Sequence, residues 1–156
     1  MALRGFRDTD AVAVHALIHR TIDACYPGVY QPRAVDFFKE FHSLEAVGDR
    51  AAAGVVVVVE DDSGIIATGA RLGSEINGVF VAPERQGSGL GALVMDELEA
   101  GMLAAGDLVA RLDVSLPSRG FYERRGYVVV ADRSIDVGDG QQLLYWEAEK
   151  SLSREV

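Results

Sequence analysis

The amino-acid sequence predicts an α/β fold, a mixed but mostly antiparallel central sheet of about seven strands flanked by about four helices. Three observations carry that expectation. Five consecutive valines, 55 to 59, open a series of three strands separated by turn residues. Apolar residues recur at helical spacing both before that series and after a glycine-rich loop at 87–91. The rest of the chain interleaves short strands with one short helix, so strands and helices share a single core. With 156 residues, 49% of them hydrophobic and 25% charged, the chain has the length of one domain and is short for two. One domain over 1–156 is expected.

Each element has its own cause. Residues 2–7 (ALRGFR) suit a short first strand, and Asp8, Thr9 or Asp10 can cap a helix whose Val14, Leu17, Ile18, Ile22 and Cys25 fall on one face. Tyr26, Pro27 and Gly28 end it. Pro32 suits the first position of a second helix, with Phe37, Phe38, Phe41 and Leu44 on a broad apolar face and Gly48 at its end. The valine strand follows, then the turn Asp61, Asp62, Ser63, Gly64, a returning strand over 65–71, a turn at Gly73 and Ser74, and a strand over 75–82. Leu90, Leu93, Val94, Leu98 and Met102 mark the buried face of a helix that Gly106 closes. Strands are expected over 109–114, 127–131 and 143–149, a short helix over 118–124, and a hairpin turn at DVGDG, 136–140. The order is strand, two helices, three strands, helix, strand, helix, two strands.

Bulk composition narrows the function. A net charge of −9 argues against a nucleic-acid or anionic-membrane surface, since both require a basic footprint. No apolar run approaches the roughly 20 residues of a membrane span, and MALRGFRDTD carries charges where a secretory signal needs its apolar segment. A cytoplasmic protein is expected. The single cysteine, Cys25, excludes an internal disulfide. His15, His19 and Asp23 fall four apart on the first helix, but they lack a fourth ligand and suit a solvated face better than a metal site.

The stretch FVAPERQGSGLGALVMDELEA, 80–100, joins a strand to a helix through Gly87, Gly89 and Gly91, a combination that binds anions. GSGLGA satisfies the dinucleotide pattern G-x-G-x-x-G/A. That fingerprint, however, opens a parallel βαβ unit, whereas here a meander of strands precedes it. A Walker-type loop would need Lys-Ser or Lys-Thr after the glycines, and neither is present. A plain tight turn would need one glycine rather than three.

Gln86, Gly87, Ser88, Gly89, Leu90 and Gly91 match a Q/R-x-x-G-x-G/A loop, preceded by Val79, Phe80, Val81, Ala82 and Pro83. Phe121, Tyr122, Glu123, Arg124, Arg125, Gly126 and Tyr127 match F-Y-E-x-x-G-F/Y downstream. With both motifs in this order, the chain resembles the GNAT superfamily of acyl-CoA-dependent N-acyltransferases over nearly its whole length. The resemblance implies acetyl-CoA (coenzyme A) as cosubstrate, without a metal. The loop N–H groups, through Ala92, would hold the pyrophosphate; Val79, Phe80 and Val81 would line the pantetheine arm; Arg85 would add charge at the rim.

It implies Tyr122 beside the coenzyme sulfur as the acid. Glu75, eleven positions before Gln86, is the first candidate for the base, with Asp113 or a water relay as rivals. Many members hold the pantetheine arm with an asparagine before the second motif; this chain has Ser115 and Ser118 there, each able to make one such hydrogen bond. Tyr26 and Tyr30 would border the acceptor site or cover the core edge. The expected activity is acetyl transfer to a primary amine of a small molecule or peptide, and the alternative is a non-catalytic acyl-CoA-binding sensor. A homodimer is the family's frequent assembly.

Overall fold

The computed structural model describes residues 1–152. Its elements are β1 (Ala2–Gly5), α1 (Ala11–Cys25), α2 (Pro32–Phe41), α3 (Leu44–Ala53), β2 (Val55–Asp61), β3 (Gly64–Leu72), β4 (Glu75–Val81), α4 (Leu90–Ala104), β5 (Val109–Ser115), α5 (Arg119–Arg124), β6 (Val128–Gly138) and β7 (Gln141–Ser151). One sheet holds all seven strands in the order β1-β2-β3-β4-β5-β7-β6. Every pairing is antiparallel except β4 with β5. No helix among the described residues is long and apolar enough to cross a membrane.

The valine run explains how the sheet is covered. Successive strand side chains point to opposite faces. Val57 and Val59 therefore join the cluster built on Val94, Leu98 and Met102 of α4, while Val58 joins that of Val14, Ile18 and Ile22 of α1 with Val47 of α3. Gly69 lets α4 sit close to β3, since a Cβ there would lie 2.4 Å from a Val94 methyl.

Four expectations change. The second helix is two: α2 stops at Phe41, and Ser43, with its hydroxyl accepting the Ala46 N–H at 3.1 Å, caps a separate α3. Gly48 lies inside α3, and Gly54 ends that helix. Phe41 and Leu44 are consequently exposed (55% and 46%), because α2 buries Ala34 and Val35 and α3 buries Val47 instead. Leu93 is on the rim of α4's apolar face at 38% exposure; the buried face includes Met95 and Glu99. Finally, β6 is much longer than 127–131. Asp136, Val137 and Gly138 belong to it, and the turn is Asp139 and Gly140, whose φ of 54° and 70° make the two-residue hairpin connection that Asp-Gly favours.

Candidate active site

The site begins with a failure of pairing. β4 and β5 are hydrogen-bonded neighbours only where Glu75 faces Arg111 and Ile76 faces Leu112; beyond that they part. The cause is in β4. Opposite β3, the register passes from Ala70↔Asn77 to Thr68↔Phe80, so β4 carries one extra residue at Gly78, whose φ is +67°. Such a bulge bends its strand. The N–H of Ala82 bonds the Ile66 carbonyl on β3, so alternation turns the main chain of Phe80 toward β3 and that of Val79 and Val81 toward the opening.

Two cavities meet at this opening. One, of about 470 Å³, is lined by Val79, Phe80, Val81, Arg85, Gln86, Gly87, Gly89, Leu90, Gly91, Ala92, Phe121 and Arg124 among others. The second, of about 270 Å³, lies between β4, β5, α2 and the β6–β7 hairpin, lined by Phe37, Phe38, His42, Asn77, Asp113, Ile135, Leu143 and Tyr145 among others. Tyr26, Val79, Phe80, Ser118 and Tyr122 line both.

The larger cavity is headed by the N-terminus of α4. The first intrahelical bond to the cap runs from Leu93 N–H to the Gly89 carbonyl, which leaves the N–H groups of Leu90, Gly91 and Ala92 without helical acceptors. Gly89, as cap, offers no side chain to satisfy them. Gly87 and Gly89 adopt φ of +80° and +86°, and no atom stands within 4 Å of where their Cβ atoms would be. Gly91 differs: it is helical, and a Cβ there would meet the Phe121 ring at 3.1 Å. Two glycines thus set the turn and the third seats the downstream aromatic against the loop. N–H groups free of helical acceptors and the positive end of a 15-residue helix, at the head of this cavity, suit a diphosphate.

Side chains brace the loop. Gln86 donates to the Val81 carbonyl at 3.2 Å, so that carbonyl is already engaged. Ser88 donates to the Arg85 carbonyl. Arg85 is ion-paired with Asp61 at 2.5 Å, whereas Arg124, exposed at the rim, has no ion pair among the described residues. Its neighbour Arg125 turns the other way, into a network with Asp96, Glu99, Tyr127 and Lys150.

At the junction, Tyr122 is 8% exposed, and its hydroxyl has no hydrogen-bond partner among the described residues. Burial, then the neighbouring Tyr26, pushes its pKa well above the usual phenol value, so it carries its proton throughout the neutral range. Tyr26 donates to Ser115 Oγ at 3.3 Å, and Ser115 and Ser118 share a hydrogen bond of 2.8 Å. Tyr30 has a bracing position: its hydroxyl accepts the Leu116 N–H and donates to the Leu144 carbonyl, tying the end of β5 to β7.

The two carboxylates proposed from sequence are placed differently. Glu75 is exposed at the closed end of the β4–β5 pair and lines neither cavity. Asp113, where the strands separate, lines the smaller one, and its pKa is raised by desolvation and by Glu147 and Glu75, with Arg133 opposing. His15, His19 and Asp23 are engaged elsewhere. His19 Nε2 lies 2.8 Å from the His42 carbonyl, His15 packs on His19, and Asp23 pairs with Lys39. Among the described residues no group of three His, Cys, Asp or Glu side chains is arranged to hold a metal ion.

Several site residues were not singled out from sequence. Gly78 had a signal, a glycine inside a strand pattern. Arg124 stood in the second motif, indistinguishable there from Arg125. Asn77 Oδ1 and His42 Nδ1 are buried without a partner among the described residues. Burial, with Arg50 and His19 nearby, lowers the His42 pKa to about 3, so its ring is neutral. Nothing in their local sequence marks either one.

Residues 27–141, well over half of the chain, match the family model described as "Acetyltransferase (GNAT) domain". No curated protein sequence is significantly similar. Among solved structures, a GCN5-related N-acetyltransferase from Rhodopseudomonas palustris superposes with a TM-score of 0.87 at 20% identity, covering 96% of this chain and 94% of that one. The PaiA N-acetyltransferase of Thermoplasma acidophilum, solved with coenzyme A, gives 0.75 at 19% identity over 96% and 98%. The ribosomal-protein-S18-alanine N-acetyltransferase of Escherichia coli gives 0.68 at 15% over 99% and 96%. At these identities the likeness is one of fold.

Proposed function

The chain belongs to the GNAT acetyltransferase family, and from that premise we propose that it transfers the acetyl group of acetyl-CoA directly to a primary amine. The observation that supports this most is the meeting of two cavities at Tyr122 through the gap between β4 and β5, one of them headed by the α4 N-terminus. Acetyl-CoA supplies an acetyl group activated as a thioester. The N–H groups of Leu90, Gly91 and Ala92 bind its diphosphate, with Arg124 adding a cation at the rim and Arg85, partnered by Asp61, shaping the wall. The main chain of Val79 and the N–H of Val81 face the pantetheine amides as a neighbouring strand would, while Ser115 and Ser118 offer hydroxyls to the same arm.

The acceptor enters from the smaller cavity. Its ammonium is mostly protonated at neutral pH and must lose a proton before attack. Asp113, in the wall of that cavity, takes the proton; Glu75, behind it on the same side of the sheet, raises its basicity rather than reaching the amine. The amine lone pair then forms the C–N bond, and the C–S bond breaks. The Val79 N–H faces the carbonyl oxygen as negative charge gathers there. Tyr122, held in its protonated form, delivers a proton to the departing thiolate and recovers one from the attacking nitrogen through solvent.

Calorimetric titration tests the donor half. Acetyl-CoA binds and NAD does not; binding of NAD alone overturns the assignment. Tight coenzyme binding with no thiol released by any amine would make the chain a coenzyme-binding module instead.

A further inference from the structure

We infer that the acceptor is a compact amine with an apolar, preferably aromatic, body and one cationic nitrogen. Which nitrogen reacts rests on the acetyl-transfer reading above; what is bound rests on the cavity. Its walls are Phe37, Phe38, Ile76, Leu112, Ile135 and Leu143, and among the described residues Asp113 is the one charged side chain that lines it. His42, held neutral, adds no charge. A body placed between those walls exchanges water for carbon, whereas a second ammonium placed there would be desolvated with no carboxylate beside it.

Two polar side chains stand close to the last paired residues of the opening strands. Asn77 and Asp113 follow the last paired residues of β4 and β5, where the strands part. Asn77 Oδ1 is buried, an acceptor with no donor among the described residues. An ammonium held there satisfies that oxygen and the Asp113 carboxylate together. The apolar body then points away from the junction, toward α2 and the hairpin.

The elements around the cavity are tied to one another, and its volume suits a small amine better than a polypeptide. The start of α2 is fastened to the β6–β7 hairpin: Arg33 pairs with Asp139 at 2.7 Å, and its N–H donates to Gln141 Oε1 at 2.9 Å. Tyr30, just before α2, holds the Leu144 carbonyl of β7. These ties hold α2 against the hairpin, the two elements that supply Phe37, Phe38, Ile135 and Leu143 to the cavity wall. The volume of about 270 Å³ falls below the ~300 Å³ at which drug-sized pockets begin. In transfer, the bound ammonium first gives one proton to Asp113 and on to solvent; the nitrogen then gains the acetyl carbon as coenzyme sulfur leaves, and its second proton balances the one gained by sulfur.

Equilibrium binding to the protein saturated with coenzyme A separates this inference from the transfer reading, because it needs no turnover. Four probes suffice: 2-phenylethylamine, n-butylamine, spermidine and a lysine-containing peptide. The expected order places 2-phenylethylamine at least about tenfold tighter than n-butylamine and tighter than the other two. Phe37→Ala and Ile135→Asn each weaken it about tenfold while leaving coenzyme affinity within about twofold of wild type; two variants guard against one that fails to fold. Tighter binding of spermidine or of the peptide overturns the inference, as does indifference to both substitutions. Binding of 2-phenylethylamine with no thiol release supports the inference and refutes acetyl transfer.

Discussion

Gly89→Ala isolates what the glycine loop contributes. Gly89 has φ of +86° and ψ of 4°, and nothing lies within 4 Å of the added Cβ. The perturbation is therefore conformational and not steric. An L-residue held in the left-handed region costs about 1–2 kcal/mol, so Tm falls by about 2–8 °C at the 2–4 °C per kcal/mol of a chain this size. Gly106→Ala is the matched control: Gly106 closes the other end of α4 with φ of +90° and equally open surroundings. Both variants should lose similar stability in thermal or urea unfolding. Only Gly89→Ala should lose coenzyme affinity, because relaxing to negative φ turns the neighbouring N–H groups away from the diphosphate. Losing one such charged hydrogen bond, about 1.5–3 kcal/mol, weakens binding about 10- to 100-fold. Equal coenzyme affinity in the two variants, by calorimetry, would refute the placement of the diphosphate at this helix end.

Tyr122→Phe should lower turnover by about 10²–10⁴ while coenzyme affinity barely moves; unchanged turnover removes Tyr122 from the chemistry. Arg124→Gln should raise the KM for acetyl-CoA several-fold and make it less sensitive to salt, whereas no change would leave Arg124 merely solvated. Glu99→Gln tests the network joining α4 to α5 and β7. Burial raises the Glu99 pKa, but hydrogen bonds from Arg125, Lys150 and Tyr127 outweigh it and hold the carboxyl below its ordinary value. That stabilisation is complete above the unfolded carboxylate pKa of about 4.3 and is lost as pH falls through the lower folded value. Near pH 7 the variant should be less stable by about 2–4 kcal/mol, and the difference should vanish in acid; a difference independent of pH would contradict the ionised network.

Much of this was legible in the sequence, for reasons that differ by element. The valine run and the faces of α1 and α4 are visible because burial imposes a period. Gln86 through Gly91 and Phe121 through Tyr127 are visible because the backbone tolerates few residues where a turn must adopt positive φ or a ring must seat against it. What was hidden depends on partners distant in the chain. β6 carries Asp132, Arg133, Ser134 and Asp136 on a sheet-edge strand, and such polar alternation resembles a loop until β7 is seen beside it. Ser43 divides two helices by a local hydrogen bond stronger than the apolar pattern around it. From sequence Glu75 ranks ahead of Asp113 as a base; only the parting of β4 and β5, set by the Gly78 bulge, puts Asp113 in a cavity wall and Glu75 outside.

The central claim is that the opening between β4 and β5 brings a thioester and an amine together. It is tested most directly by incubating the chain with acetyl-CoA and a panel of primary amines, measuring free thiol and product mass together. Thiol release that requires the amine, with one N-acetylated product formed per thiol, is the predicted result. Thiol release at the same rate with no amine present, or none with any amine despite bound coenzyme, would contradict it.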